Sequence, residues 1–120
     1  MRLLDSSAIL ATLWGEPGGE ESFDQDSCVC TVVNWAEVAG KVLSRQADWT
    51  LAQRALFGLG LRIVPMETVD VDRCAQLWFE HPFLSLGDRI CLAVGERLGA
   101  DIITADRQWS DVSSRVILIR

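Results

Sequence analysis

Four acids stand where apolar runs end or helical spacing begins. Asp5 closes RLLD and opens SSAILATLW, Glu37 lies early in VVNWAEVAGKVLS, Asp88 lies early in SLGDRICLAVGERLG, and Asp106 follows DIIT by two residues. In a strand-helix-strand unit the helix runs antiparallel to its strands, so helix starts and strand ends share one sheet edge. Open α/β sheets bind ligands at that edge. Crowded carboxylates repel, and at least one tends to keep its proton unless a cation compensates. An all-oxygen donor set without His or Cys suits Mg²⁺, with Mn²⁺ as the alternative, better than zinc. Such an ion activates water and stabilises charge on a phosphodiester under attack. The reaction class suggested is metal-assisted phosphodiester hydrolysis.

Each acid has a second reading as a helix cap. Asp5 precedes SSAILATLW, Asp106 precedes RQW, and both Ser85-x-x-Asp88 and Asn34-x-x-Glu37 have capping-box spacing. Glu37 also stands four residues before Lys41, a favourable helical pair, and off the stripe of Val38, Ala39 and Val42, so spacing alone does not select it. Convergence favours the site: independent caps need not share one edge.

The elements that must position these acids are legible. Apolar runs at 2–5, 27–32, 61–66, 101–104 and 115–119 read as strands covered on both faces. Between them lie helical spacings: Val71, Cys74, Ala75 and Trp78 form one face, and Ile90, Val94 and Leu98 another. Asp5, Asp48 and Ser85 read as N-caps, and Gly99 as a helix stop. Gly58 and Gly60 mark a helix-to-strand turn; they precede their strand, unlike the glycines of a nucleotide-binding loop. A helix of about 16 Å and a strand of about 13 Å return Asp88 and Asp106 to the same edge. The expectation is one α/β domain over residues 1–120, an α/β/α sandwich around a mainly parallel five-stranded sheet.

Composition narrows the class. With 49% hydrophobic and 23% charged residues the 120-residue chain is globular rather than disordered. No run reaches the roughly 18 apolar residues of a membrane span, and Asp5 interrupts the first apolar stretch before it forms a signal-peptide core. A cytoplasmic protein is expected. Cys28 and Cys30 alternate on one strand face and read, with Cys74 and Cys91, as buried thiols; His81 has no partner spacing for zinc. The net charge of −6 opposes general attraction to nucleic acid unless the acids are concentrated and metal-neutralised. Ten of the eleven basic residues are Arg, which keeps bidentate phosphate contacts available. Arg89 and Arg107, each beside a site acid, and Lys41 are the candidate phosphate contacts. Trp14, Trp35, Trp49 and Trp78 read as packing or dimer residues, and Trp109 as lying near the groove.

Taken together, LDSSAILA, NWAEVAGKV, SLGDRICLAVGERLGADIITADRQW and RVILI resemble the PIN-domain ribonucleases, in particular the VapC-type toxins of bacterial toxin-antitoxin pairs. The resemblance spans nearly the whole chain, is most specific from Ser85 to Trp109, and is weak from Gln46 to Phe83. It implies a PIN-like sandwich and a Mg²⁺-dependent endoribonuclease site. Asp5, Glu37, Asp88 and Asp106 fall on the family's acidic catalytic positions, with Asp5, Asp88 and Asp106 as the metal ligands. Ser6 and Thr104 fall on polar positions that steady the metal shell. The resemblance further implies an RNA substrate, a homodimer, and a cognate antitoxin whose tail enters the acidic groove.

Rival readings are a phospho-acceptor module, which wants adjacent acids after the first strand, and a haloacid-dehalogenase-like phosphatase, which wants an acid two residues after Asp5. Position 7 is Ser. A non-catalytic binding module whose acids only cap helices fits the same fold.

Overall fold

The computed structural model describes residues 1–24 and 27–120. Its elements run β1 (Arg2–Leu4), α1 (Ser6–Trp14), α2 (Gly19–Ser22), β2 (Cys28–Thr31), α3 (Val32–Ser44), α4 (Trp49–Gly58), β3 (Arg62–Val64), α5 (Asp70–Glu80), α6 (Leu86–Leu98), β4 (Asp101–Thr104), a 3-10 helix (Arg107–Trp109) and β5 (Val116–Leu118). The five strands form one parallel sheet in the order β3-β2-β1-β4-β5. All five apolar runs contain a strand, each trimmed at its ends except 101–104. The trimming at residue 5 is informative: Asp5 still donates its amide to the Ile103 carbonyl of β4, while its carboxylate caps α1 by accepting the Ala8 amide.

Alternation along each strand divides the core into two layers. Leu3, Val29 and Ile102 point to one face, where α5 and α6 contribute Cys74, Leu77, Ile90 and Val94. Leu4, Cys28, Cys30 and Ile103 point to the other, against Ile9, Val38, Val42 and Leu56 of α1, α3 and α4. Burying one such Leu or Ile side chain contributes roughly 2 kcal/mol, so a one-residue slip in β1 or β4 would exchange the layers at high cost. Close approach fixes α6: a Cβ at Gly95 would stand 2.6 Å from the side chain of Ile102. That contact and the Gly99 left-handed stop, at φ 65°, turn the chain into β4.

Three expectations change. The face of Val71, Cys74, Ala75 and Trp78 is split: α5 buries Cys74, with Asp70 and Leu77, against α6 and leaves Ala75 exposed, Val71 50% and Trp78 56% exposed. Helical spacing marks an apolar stripe but not what covers it. Here Val71 and Trp78 face outward, and Val69, Phe79, Phe83 and Leu86 are exposed as well. Asn34 is not an N-cap, because β2 runs into α3 without a loop and Thr31 caps instead, its hydroxyl accepting the Asn34 amide at 3.0 Å. Trp109 is 1% exposed and packs in the α5–α6 layer, so it is not a groove residue.

Candidate active site

The sheet order reverses between β1 and β4, the switch point where α/β folds form a crevice. The Asp5 amide donates to the Ile103 carbonyl at 3.0 Å, which places Asp5 directly beside the end of β4. Its carboxylate is buried. Oδ1 accepts the Ala8 amide at 2.9 Å and the Ser7 hydroxyl at 2.7 Å, and Oδ2 accepts the Thr104 hydroxyl at 2.6 Å. Thr104 also accepts the Asp106 amide at 3.0 Å, and the Asp106 carboxylate accepts Gln108 N–H at 3.0 Å to start the 3-10 helix.

Asp88 reaches the same edge from α6, half-buried. It completes a capping box: the Ser85 amide donates to Asp88 Oδ2 at 3.1 Å and the Asp88 amide to Ser85 Oγ at 3.1 Å. Glu37 approaches from α3, where it is exposed and accepts the Asn34 side-chain amide at 2.7 Å. It lies over α6, since a Cβ at Gly87 would stand 2.9 Å from Glu37 Oε1.

Electrostatics ties the acids together. Burial pushes the Asp5 carboxyl up to about 6, against the pull of its Thr104, Ser7 and Ala8 hydrogen bonds, and the charge of Asp88 adds to the rise. Asp88 is likewise raised, first by burial and then by Asp106, with Ser85 and Arg89 opposing. The Cys91 thiol in the core is driven well up by burial and by Asp5, Asp88, Cys30 and Glu37. Asp5, Asp88 and Glu37 thus act on one core thiol, and Asp106 acts on Asp88. Among the described residues, however, no group of three or more His, Cys, Asp or Glu side chains stands ready to hold a metal ion.

Thr104, at 0% exposed, sits where the resemblance wanted a supporting hydroxyl, but the second hydroxyl on Asp5 is that of Ser7 rather than Ser6. Ser7 also accepts the Ala105 amide at 2.9 Å. Its position was visible as the residue that disqualified a phosphatase, yet nothing in the spacing marks it as a partner. Arg89 is half-buried, its guanidinium 5.8 Å from the Trp78 ring, while Lys41 and Arg107 are exposed. An apolar cavity of about 300 Å³ that none of the four acids lines lies between α1, α3 and α4, bounded by Leu13, Trp14, Val42, Leu51 and Ala52 among others. No helix is long and apolar enough to cross a membrane among the described residues.

Known structures share this architecture. A toxin-antitoxin complex from Klebsiella pneumoniae is similar at a TM-score of 0.82 and 18% identity, with 100% of this chain and 98% of that one covered. VapBC2 from Rickettsia felis, bound to a DNA fragment from its promoter, is similar at 0.73 and 14%, covering 98% and 96%. VapC20 from Mycobacterium tuberculosis, described as a sarcin-ricin loop cleaving toxin, is similar at 0.71 and 13%, covering 94% and 95%. No curated protein sequence is detectably similar. The PIN domain family model matches residues 2–114, nearly the full length and including all four acids, and the chain belongs to the PIN-domain family.

Proposed function

We propose that this PIN domain is a VapC-type toxin, an endoribonuclease that hydrolyses RNA phosphodiester bonds with Mg²⁺, or Mn²⁺, held by Asp5, Asp88 and Asp106. A cognate antitoxin protein would neutralise it. The observation that carries the reading is the buried Asp5 at the β1–β4 switch point, its carboxyl raised by burial and by Asp88, which Asp106 raises in turn. The toxin and toxin-antitoxin neighbours support the biological setting.

The donor set fits a hard divalent cation: it is all carboxylate, and the mutual repulsion is what such an ion would relieve. When bound, the ion supplies positive charge against the phosphodiester under attack. Asp5, Asp88 and Asp106 would hold it. Glu37, tethered through Oε1 to Asn34, keeps Oε2 to accept a proton from attacking water. Arg89, Arg107 and Lys41 would meet phosphates of the strand. The acids lie at a sheet edge and outside the apolar cavity, a placement that suits a polymeric substrate.

A homodimer belongs to the same proposal. Val69, Val71, Trp78, Phe79, Phe83 and Leu86 are all at least half exposed, an apolar exposure that a second copy would cover. Four buried cysteines, none of them in a disulfide among the described residues, accord with a cytoplasmic setting.

The non-catalytic reading has one observation in its favour: Asp5, Asp88 and Asp106 each also cap a helix. RNA cleavage separates the two. Wild-type protein should cleave RNA with Mg²⁺ and lose that activity in excess EDTA. Asp88→Asn, which retains an oxygen for the Ser85 amide, should be inactive and folded. Cleavage undiminished by EDTA or by this substitution would contradict the metal mechanism; a wild type inert with Mg²⁺ and Mn²⁺ would favour the binding module.

A further inference from the structure

The hydrogen bonds around Asp5 leave its two oxygens unequal. A carboxylate offers about four acceptor positions, two on each oxygen. Oδ1 has both filled, by the Ala8 amide at 2.9 Å and the Ser7 hydroxyl at 2.7 Å. Oδ2 has one filled, by the Thr104 hydroxyl at 2.6 Å. One acceptor position therefore remains, and it is on Oδ2.

The two hydroxyls that impose this asymmetry have a second task. Each donates its single proton to Asp5 and turns a lone pair to the chain after β4: Ser7 Oγ accepts the Ala105 amide at 2.9 Å, and Thr104 Oγ1 accepts the Asp106 amide at 3.0 Å. They stand 3.3 Å apart. Asp5 is thereby tied to the backbone that carries Asp106. We propose that Ser7, acting with Thr104, is a positioning residue: it makes Asp5 a one-point ligand through Oδ2 and fixes the spacing between Asp5 and Asp106.

This inference rests on the metal-site reading. Without the Ser7 hydroxyl, Oδ1 regains a free acceptor position, the carboxylate can rotate, and the Ala105 amide loses its acceptor. Partners that orient metal ligands commonly change affinity by about 10–100-fold when removed. A residue with only a structural role would instead lower stability alike with and without metal.

The test is Mn²⁺ affinity of the metal-stripped full chain, measured by electron paramagnetic resonance of free Mn²⁺, with urea unfolding in EDTA recorded in parallel. Ser7→Ala should weaken Mn²⁺ binding at least about tenfold, and Ser7→Thr, which keeps the hydroxyl, should restore affinity close to wild type. Should Ser7→Ala fail to fold, Thr104→Val against Thr104→Ser makes the same comparison. Wild-type affinity in the hydroxyl-free variant would overturn the inference and leave the metal site standing. Absence of Mn²⁺ binding by the wild type would overturn both.

Discussion

Asp5→Asn should stabilise the metal-free protein. In wild type the buried carboxyl has moved from 3.8 to about 6. One pKa unit is worth about 1.36 kcal/mol, so at pH 7 the ionised group weakens the fold by up to about 3 kcal/mol. Asn removes the charge and keeps the shape. Its oxygen still accepts from Ala8 and Ser7, but its amide must donate to Thr104, whose proton then turns toward Ser7 3.3 Å away. That rearrangement costs about 1 kcal/mol, leaving a net gain of about 1–2 kcal/mol, equivalent to a rise of several degrees in Tm for a domain this size. The pH dependence follows from the direction of the shift. With its folded pKa above its unfolded one, Asp5 binds more protons in the native state between about pH 4 and 6, so wild-type stability falls as pH rises through that window and is level above it. The advantage of Asp5→Asn should be present at pH 7.5 and vanish by pH 4. Urea unfolding in EDTA at the two pH values measures it, and added Mg²⁺ should raise wild type alone. A variant less stable than wild type at pH 7.5 in EDTA would refute the claim that Asp5 is held charged against burial and repulsion.

Gly87→Ala should leave stability unchanged or raised by about 0.5–1 kcal/mol, since it replaces a helical glycine. It should also lower RNA cleavage severalfold, because its Cβ displaces the Glu37 carboxylate that lies 2.9 Å away; full activity would argue that Glu37 has no part in the chemistry. Burial opposes ionisation of Asp70, but the Arg97 hydrogen bonds and charge and the Glu67 amide outweigh it and hold the carboxyl below its usual range. Their stabilisation is present at neutral pH and lost as pH falls through the folded pKa, so Arg97→Gln should cost about 2–3 kcal/mol at pH 7 and less in acid; an equal loss at both pH values would contradict the pairing. Trp78→Lys with Phe79→Lys should convert a dimer to a monomer in light scattering. A wild-type monomer would remove the proposed interface.

Much of this was legible because it is local. Asp5, Asp48, Ser85 and Gly99 announce helix ends through chemistry that needs no tertiary context, and all four serve as caps. The five strands were visible as apolar runs. The α5 stripe was misplaced because Val71 and Trp78 repeat with the same period whether they meet a core, a second copy or water. The role of Ser7 is not local: its partners Thr104 and Ala105 lie nearly the whole chain away, and only the pairing of β1 with β4 brings them to it. That Asp5, Asp88 and Asp106 belong to one sheet edge follows from topology, whereas the side-chain spacing, which among the described residues forms no ready three-ligand group, is not written in any sequence pattern.

The most direct measurement is diffraction from crystals grown with Mn²⁺ and recorded at the manganese absorption edge. One anomalous peak should lie between Asp5 Oδ2 and the carboxylates of Asp88 and Asp106, drawing in side chains that otherwise stand apart. Mn²⁺ bound elsewhere on the surface, with these three carboxylates unmoved and empty of density, would contradict the assignment.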